Sequence, residues 1–389
     1  MTNRKRIYLD YAATTPVAKE VLEAMLPYFS DKFGNPSSIH SRGQEARKAL
    51  NDSYHRVAEL LGCGVSEIVF TSGGTESDNL ALRGVMHAAA KEGKNHLIVS
   101  KIEHPAVYKT AEVLAEDGFK VDFLSVNEEG TVKLKELEKL ITDKTALVSI
   151  MYANNEIGTI EPIKEISELI KRKNPHTLFH TDAIQAFNYL DCCVENLGVD
   201  LMSLSAQKLY GPKGVGLLYV RKGVRLDPVQ TGGGQELGKR AGTENLPGIV
   251  GMVKAMELAD QVKIAEKMRL QELRNRLIEG IQSRIDGVHL SGSLENRLPN
   301  NVNFCFDRIE GEGLVMSLDV EGVMVSTGSA CSSRRLEPSH VLLALGISPR
   351  LAQGSLRLTL GRDTKGEDID YVLSILPPVV DRLRSISPF

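Results

Sequence analysis

The 389-residue sequence has no surplus of either charge, no long apolar run and no low-complexity segment. Its 47 Lys and Arg residues nearly balance its 50 Asp and Glu residues, which leaves a formal net charge of -3 at pH 7. A chain this close to neutral lacks the basic surplus that general binding to nucleic acid or to a membrane surface requires. No run of about eighteen apolar residues offers a membrane-spanning helix. We therefore expect the partner to be a small molecule or another protein.

Cysteine is scarce, and its spacing excludes two further classes of protein. The five cysteines are odd in number, widely scattered and without a CxxC pair: Cys63, Cys192, Cys193, Cys305 and Cys331. This pattern argues against a zinc site and against the disulfide framework of a secreted domain. The N-terminal stretch MTNRKRIYLDYAATTP has no apolar run after its basic residues, so it does not predict a secretory signal. We expect a cytoplasmic protein without a bound metal.

Seven apolar stretches, with helix-compatible segments between several of them, predict the fold class. The stretches span residues 67–72, 96–101, 119–126, 145–153, 177–182, 199–208 and 215–220. Segments such as 76–92, 105–117 and 162–173 favour helix, and the alternation predicts an α/β fold with a mostly parallel, doubly wound sheet of seven strands. A long amphipathic stretch follows Leu246, and apolar stretches return at 301–306 and 355–360, which predicts a smaller α+β domain. We expect a large domain over residues 16–260 and a small domain formed by residues 1–15 and 261–389.

Polar residues able to do chemistry stand where several of the predicted strands end. They are Ser72, His104, Asn155, Asp182 and Lys208. The carboxyl ends of parallel strands meet at one edge of a sheet, where ligands bind in open α/β folds. Taken singly, such residues have ordinary structural interpretations, as a hydrogen-bonded core histidine, an aspartate that caps a helix or a solvated lysine. Their common position favours one shared site.

The segment TSGGTESDN, residues 71–79, adds a phosphate signal. Its paired glycines, followed by Thr75 and a helical pattern, predict free backbone N–H groups at the positive end of a helix dipole. A glycine pair alone could form only a turn, and the segment is neither a P-loop nor a dinucleotide fingerprint. A phosphate site, a lysine, an aspartate and a histidine in one crevice together indicate pyridoxal 5′-phosphate (PLP).

Each of these residues would meet a different part of PLP. Lys208 would bond to the aldehyde, and Asp182 would keep the ring nitrogen protonated so that the ring withdraws electrons. His104 could stack on the ring face, and Gln185, three residues after Asp182, could donate to the ring hydroxyl. Arg357 offers a planar fork for the carboxylate of an amino-acid substrate.

Cys331 lies in the stretch VSTGSACSSRRLEP, residues 325–338. Its neighbours are too small and polar to bury it, although an unpaired cysteine is usually a core residue. This composition predicts a loop of the kind that carries function on a rigid scaffold.

Nearly the whole chain carries an ordered series of motifs. They are YLDYAATTP, FGNPSSIH, TSGGTESDN, EHPAV, NNEIG, HTDAIQ, QKLYGPKGVG, GGGQELGKRAGTEN, STGSACSS, LEPSHVLLALG and SLRLTLGR. In this order they resemble the class I cysteine desulfurases, within the PLP-dependent aminotransferase superfamily of fold type I. Members of that family supply sulfur for iron–sulfur clusters and thio-modified tRNA.

The resemblance implies a role for each matching residue. Lys208 matches the Schiff-base lysine, His104 the stacking histidine, Asp182 the ring-nitrogen partner and Gln185 the ring-hydroxyl donor. Gly74, Thr75, Ser205 and Gln207 fall in the phosphate-binding motifs, and Thr243 matches a phosphate ligand from the second subunit. Asn155 and Arg357 match the substrate-carboxylate residues, and Cys331 matches the nucleophile. The implied enzyme is a homodimer with shared sites that converts L-cysteine to L-alanine and passes a persulfide from Cys331 to an acceptor protein.

Two positions depart from the family pattern. Gln207 stands where the family usually has histidine, and Arg334 and Arg335 stand where it more often has small or apolar residues. Glutamine can still donate to a phosphate oxygen, so we expect cofactor binding to survive. The two arginines are either a solvated charge pair or a contact that selects an acidic acceptor.

Three other functions remain open at this level. A selenocysteine lyase would share every catalytic residue. Another PLP-dependent lyase or an aminotransferase of the same fold would not need Cys331. A sulfur-assembly scaffold without activity would not need an intact Lys208 and Asp182.

Overall fold

The computed structural model describes residues 6–328 and 338–387 of the chain. Within these ranges twelve β-strands form, which are β1 (Ile7–Tyr8), β2 (Ile68–Thr71), β3 (His96–Ser100), β4 (Lys120–Leu124), β5 (Thr145–Ser149), β6 (Leu178–Asp182), β7 (Leu201–Ser205), β8 (Gly216–Val220), β9 (Val288–Leu290), β10 (Asn301–Phe306), β11 (Val323–Met324) and β12 (Ser355–Thr359). The α-helices of the same ranges are α1 (Lys19–Met25), α2 (Pro27–Ser30), α3 (Ser41–Leu61), α4 (Gly74–Ala90), α5 (Pro105–Glu116), α6 (Leu134–Leu140), α7 (Ile163–Lys173), α8 (Val194–Leu197), α9 (Leu246–Arg284), α10 (Gly311–Val320), α11 (His340–Ala344), α12 (Pro349–Gln353) and α13 (Gly366–Ile386). Short 3-10 helices cover Val65–Glu67, Ala206–Lys208 and Glu236–Gly238.

Strands β2 to β8 form the predicted seven-stranded sheet, in the order β2-β8-β7-β6-β5-β3-β4. The pairs from β7 to β4 are parallel, whereas β8 runs antiparallel to both β2 and β7. Each of the seven strands falls within one of the seven apolar stretches identified in the sequence. The prediction of a mostly parallel sheet is therefore confirmed.

The sheet has an apolar core on each face. In β3, Leu97 and Val99 pack into one buried cluster while Ile98 packs into the other. Successive side chains of a strand point to opposite faces, so a strand covered on both sides is apolar throughout. This explains why the strands appear in the sequence as continuous apolar runs rather than as alternating patterns.

The C-terminal part of the chain forms smaller sheets. Strands β9, β10 and β12 make a three-stranded antiparallel sheet, and β1 pairs in parallel with β11. The N-terminal strand thus joins the C-terminal part of the fold. Helix α9 runs without interruption from Leu246 to Arg284, through residue 260, and the division of the chain into two domains at residues 15 and 260 stays a prediction. Among the described residues, no helix combines the length and the apolarity that a membrane span requires.

Candidate active site

A cavity of about 570 Å³ lies where the large sheet meets the C-terminal part of the fold. Ten of the site residues predicted from the sequence line it: Gly74, Thr75, His104, Asn155, Asp182, Gln185, Ser205, Gln207, Lys208 and Arg357. Strands β6 and β7 end at two of them, and the connections after β3 and β5 carry two more. The residues that follow strands of the large sheet converge because these strands end at the same edge. Arg357, 283 positions after Gly74, reaches the same cavity from β12 of the C-terminal sheet.

Lys208 is held by the N-terminal segment. It ends the 3-10 helix that follows β7, and its Nζ donates to the backbone oxygens of Ala12, at 2.7 Å, and of Ala13. Thr15 fixes the same turn, because its N–H and its hydroxyl both donate to the backbone oxygen of Gln207 at 3.0 Å. The segment from Ala12 to Thr15 therefore orients the lysine at the cavity wall.

Asp182 is a buried carboxylate at the end of β6. Its Oδ1 accepts a hydrogen bond from the N–H of Ile184 at 2.9 Å, and residues 184–189 form turns rather than an α-helix. The carboxylate thus caps a turn. The alternative that it caps a helix, which the sequence left open, is wrong. Burial raises the pKa of Asp182 to about 6, although the N–H of Ile184 and the charge of Lys208 both lower it. A cation facing Asp182 would stabilise its ionised form.

Gln185 shares a hydrogen-bond acceptor with the lysine. Its Nε2 donates to the backbone oxygen of Ala12 at 3.0 Å, the same oxygen that accepts from Lys208. The two side chains are thereby brought to one side of the cavity.

His104 is neutral and has a defined tautomer. It caps the N-terminus of α5, where its Nδ1 accepts a hydrogen bond from the N–H of Ala106 at 3.1 Å. Burial, followed by the charges of Lys208 and His340, lowers the pKa of His104 to about 4. A neutral imidazole whose Nδ1 accepts carries its proton on Nε2.

Helix α4 begins at the cavity with its first N–H groups uncapped. Gly73 precedes the helix with a φ of 152°, a conformation that glycine adopts readily, and no side chain caps the helix start. A Cβ on Gly74 would lie 2.1 Å from Cδ1 of Ile184, so a larger residue there would require the side chain of Ile184 to shift. Thr75 and Ser205 add hydroxyl groups to the cavity lining. A helix of 17 residues that starts in this way is suited to a phosphate group.

Arg357 lies in β12 with its side chain buried against the cavity. Its Nη2 donates to Oδ1 of Asp10 at 2.9 Å and its Nη1 to the backbone oxygen of Asn155 at 3.1 Å. Its Nε is buried and has no hydrogen-bond partner among the described residues. A buried guanidinium with unused donor capacity is suited to an added carboxylate.

These features fit PLP. A glycine-lined cradle at an uncapped helix start suits the phosphate, and the buried carboxylate of Asp182 suits the protonated ring nitrogen. Lys208 lies on the wall of the same cavity, as a bond to the aldehyde requires. The donor set therefore agrees with the cofactor that the sequence predicts.

Two of the remaining predicted residues lie outside the cavity lining. Thr243 is exposed and, like Ser72, is absent from the cavity lining within the described part of the chain. Cys331, Arg334 and Arg335 lie outside the described residues.

Several residues of the cavity had no predicted role. Glu156, Ser339 and His340 line it, and Asp10 accepts a hydrogen bond from Arg357. All four residues lie within the motifs quoted above: Asp10, Glu156, Ser339 and His340. Membership of these motifs was the signal in the sequence that could have identified them. Their contacts follow from packing between distant segments, which the spacing of residues does not encode.

The family is shown by comparison with known proteins. A family model described as aminotransferase class-V matches residues 7–372. A cysteine desulfurase IscS from Clostridium botulinum is 53% identical over 386 residues, which cover 99% of this chain and 96% of that protein. A solved structure of a NifS-like protein has a TM-score of 0.92 at 42% identity, and the match covers 97% of this chain and 100% of that one. A solved structure described as SspA in complex with cysteine has a TM-score of 0.80 at 38% identity, covering 92% of this chain and 99% of that one. The chain belongs to the class-V aminotransferase family, and within it to the PLP-dependent cysteine desulfurases.

Proposed function

We propose that the protein removes the sulfur atom from L-cysteine, releases L-alanine and holds the sulfur as a persulfide on Cys331. The observation that carries the proposal is the convergence of ten predicted residues on one cavity in a chain 53% identical to a cysteine desulfurase. A related solved structure, SspA, is described as a complex with cysteine. A cavity of about 570 Å³ has room for a small cofactor and an amino acid.

The cofactor is held by four groups of residues in this proposal. Gly74, Thr75, Ser205 and Gln207 bind the phosphate, Asp182 pairs with the ring nitrogen, Gln185 donates to the ring hydroxyl and His104 lies against the ring. When bound, PLP supplies an electron sink for the amino-acid substrate attached to it.

The substrate is oriented by its carboxylate. Arg357 and Asn155 bind this group, and the ion pair with Asp10 keeps the guanidinium in place. The amine of Lys208, once neutral, takes the proton from Cα of the substrate. Because His104 is neutral with its proton on Nε2, it can donate a hydrogen bond without adding positive charge beside the lysine.

Sulfur transfer follows as an attack by the thiolate of Cys331 on Sγ of the substrate. The bond between Cβ and Sγ breaks and a sulfur–sulfur bond forms. Cβ gains a proton and a proton returns to Cα, which completes alanine. One L-cysteine and one thiol thus give one L-alanine and one persulfide, with no external oxidant. A thiolate is the reactive form of cysteine, and the loop that the sequence predicts around Cys331 would suit delivery of the product to another protein.

The active unit is a homodimer in this proposal. The supporting observation is that Thr243, which the family resemblance places at the phosphate, is exposed and is not part of the cavity lining of its own chain. Apolar side chains on and beyond helices α1 and α2 also face solvent: Leu26 is 54%, Phe29 62% and Phe33 66% exposed. A second copy would bury such side chains.

Mixed dimers test the shared site. Lys208→Ala and Thr243→Ala should each abolish or sharply reduce alanine formation. If Thr243 acts across the dimer, dimers mixed from the two variants contain one complete site and regain activity. If mixing restores nothing although mixed dimers form, Thr243 does not serve the partner's site.

The acceptor is an unidentified protein, and the reducing cytoplasm is the proposed compartment. Cys63, Cys192, Cys193 and Cys305 are all unpaired, as expected in reducing conditions. If Arg334 and Arg335 select an acidic acceptor, reversing their charge will lower transfer to that acceptor and leave the release of free sulfide intact. Unchanged transfer to the acceptor leaves the two arginines as a solvated charge pair.

A paired assay decides the main proposal. Sulfide and alanine are measured from L-cysteine with a thiol reductant, on the parent protein and on Cys331→Ser. Equal amounts from the parent, and loss of both in the variant although the yellow cofactor remains bound, are the expected result. Alanine and sulfide that persist in the variant would mean that Cys331 is not the nucleophile. Parallel turnover of selenocysteine distinguishes a selenocysteine lyase.

A further inference from the structure

A small group of polar side chains lies in the core between helix α4 and strand β6. Asp78 lies in α4, whose first residue is Gly74, and His180 lies two residues before Asp182 in β6, on the same face of the sheet. Asp78 and His180 are fully buried, and only 4% of Asp182 is exposed. Buried polar groups are costly unless they are hydrogen-bonded, so the contacts of each group indicate which charge it can bear.

His180 links the three central strands of the large sheet. Its Nδ1 is 2.8 Å from Oγ of Ser149 in β5, and its Nε2 is 3.0 Å from Oγ of Ser203 in β7. Burial lowers the pKa of His180 to about 3, so the ring is neutral. Both ring nitrogens are thus engaged by hydroxyl groups, and the ring offers no positive charge to a neighbouring carboxyl group.

The carboxyl group of Asp78 faces this neutral ring. Its Oδ1 is 3.8 Å from Nε2 of His180, beyond hydrogen-bond distance. Neither of its oxygens has a hydrogen-bond partner among the described residues. An ionised carboxylate in the core is strongly unfavourable without a donor or a counter-charge. The geometry therefore favours the protonated form of Asp78.

The charges around Asp78 add to this preference. Burial, followed by the charge of Asp182, raises the pKa of Asp78 well above its usual range, and the charge of Glu103 raises it further. The hydroxyl of Ser203 acts in the opposite direction, although it does not reach hydrogen-bond geometry with either oxygen. Both carboxyl groups that act on Asp78 thus favour its neutral form.

Asp182 has the partners that Asp78 lacks. Its Oδ1 accepts from the N–H of Ile184 at 2.9 Å, and the charge of Lys208 lowers its pKa. It also lines the cavity, which Asp78 does not do within the described part of the chain. Two neighbouring buried carboxyl groups cannot both ionise without a large cost. The donors favour the negative charge on Asp182 and the proton on Asp78.

We infer that Asp78 carries a proton at neutral pH and, as a neutral polar neighbour, keeps the negative charge on Asp182. Asp78 is thus a positioning residue that acts through Asp182, and the ring of His180 that it faces is held by two serines. The inference rests on the proposed function, in which Asp182 pairs with the ring nitrogen of PLP. It assigns the TESDN motif a role beyond the phosphate site.

Infrared spectroscopy tests the position of the proton directly. A protonated carboxyl group has a carbonyl stretch that an ionised carboxylate lacks. The difference spectrum between the parent and Asp78→Asn, both loaded with PLP at neutral pH, should contain this band. Absence of the band would mean that Asp78 is ionised and would overturn the inference.

NMR of PLP that is isotopically labelled at the ring nitrogen tests the effect on Asp182. Asp78→Asn keeps a neutral polar group of similar size, so the chemical shift of the ring nitrogen should equal that of the parent. Asp78→Leu offers no dipole to the charge of Asp182, so the shift should move toward that of the unprotonated ring. Its kcat for alanine formation should fall about tenfold or more, as for a change of one pKa unit.

Two NMR results would contradict the inference. A changed chemical shift in Asp78→Asn would mean that the parent carries a charge at this position. An unchanged shift in Asp78→Leu would mean that Asp78 does not act through Asp182. If Asp78→Leu does not fold, the infrared band and Asp78→Asn still decide the inference.

Glu161→Gln is the matched control. Glu161 is also a buried carboxyl group, which accepts from the N–H of Val132 at 3.1 Å, and it does not line the cavity within the described residues. Burial raises its pKa to about 8, so its variant should lose the same kind of infrared band and keep the chemical shift and kcat of the parent. If the parent formed no alanine, the proposed function would fail, and the spectra would still show where the proton lies.

Discussion

Arg357 and Asp10 form an ion pair at the cavity wall, with Nη2 2.9 Å from Oδ1 and the two side chains only 4% and 20% exposed. The pair joins Asp10, two residues after the N-terminal strand β1, to strand β12 of the C-terminal sheet. Removing one partner of a buried ion pair leaves the charge of the other without a counter-charge, which is unfavourable. The ion pair with Asp10 therefore fixes the position of the Arg357 guanidinium.

Asp10→Asn is expected to loosen Arg357 without removing it. KM for L-cysteine should rise about tenfold with a smaller change in kcat, because the substrate carboxylate loses an oriented partner but the chemistry is untouched. Steady-state kinetics measure kcat and KM separately. A tenfold loss of kcat with an unchanged KM would mean that Asp10 acts on the reaction rather than on substrate binding.

Asp182→Asn keeps the hydrogen bond from Ile184 but removes the charge. The activity should fall at least about 100-fold, as when a preorganised electrostatic partner of a reacting group is removed. The absorbance spectrum of the bound cofactor should change with it. Ser72→Ala, at a strand end outside the cavity lining, serves as the control and should behave as the parent.

Gln207→His restores the residue that is usual in the family. We expect cofactor affinity to change less than about tenfold, because glutamine donates to a phosphate oxygen as histidine does. Titration of the protein without cofactor against PLP measures the affinity. Tightening by more than tenfold would show that glutamine at this position costs cofactor binding.

Glu161 should make the stability of the protein fall as pH rises. Burial raises the pKa of its carboxyl from 4.5 to about 8, so between these values the folded chain holds a proton that the unfolded chain has lost. Each pH unit in this window costs about 1.4 kcal/mol of stability for one such group. Glu161→Gln removes the titration.

Thermal unfolding near pH 5 and near pH 8 measures this dependence. The midpoint should fall less between the two conditions in Glu161→Gln than in the parent. Parallel decreases in both proteins would show that another group carries the dependence.

The strands could be predicted because burial on both faces makes them apolar throughout. Strand β5, TALVS, and strand β7, LMSLS, are buried at every position, and their apolar runs were visible without a structure. The ends of β5, β6 and β7 then indicated where Asn155, Asp182 and Lys208 would meet, because parallel strands share an edge. The phosphate cradle at Gly74 was visible for a similar local reason, a glycine pair before a helix.

The exact partners of these residues could not be predicted. The oxygen atoms that hold Lys208 belong to the backbone of Ala12 and Ala13, which are 196 and 195 positions away. Every residue has such an oxygen, so no side-chain pattern marks the ones that matter. The composition of the segment after Asp182 likewise did not reveal that residues 184–189 form turns rather than a helix.

The sequence by itself determined the strands of the large sheet, the family and ten predicted residues that line one cavity, because periodicity, glycine pairs and ordered motifs are local properties of the chain. Only the tertiary structure decided which groups hold those residues and which charges they bear. The pair between Arg357 and Asp10, the neutral His104 and the hydrogen bond from Ser339 to Glu156 arise from packing between segments that are distant in sequence. Burial, which sets the cost of each charge, exists only once those segments have met.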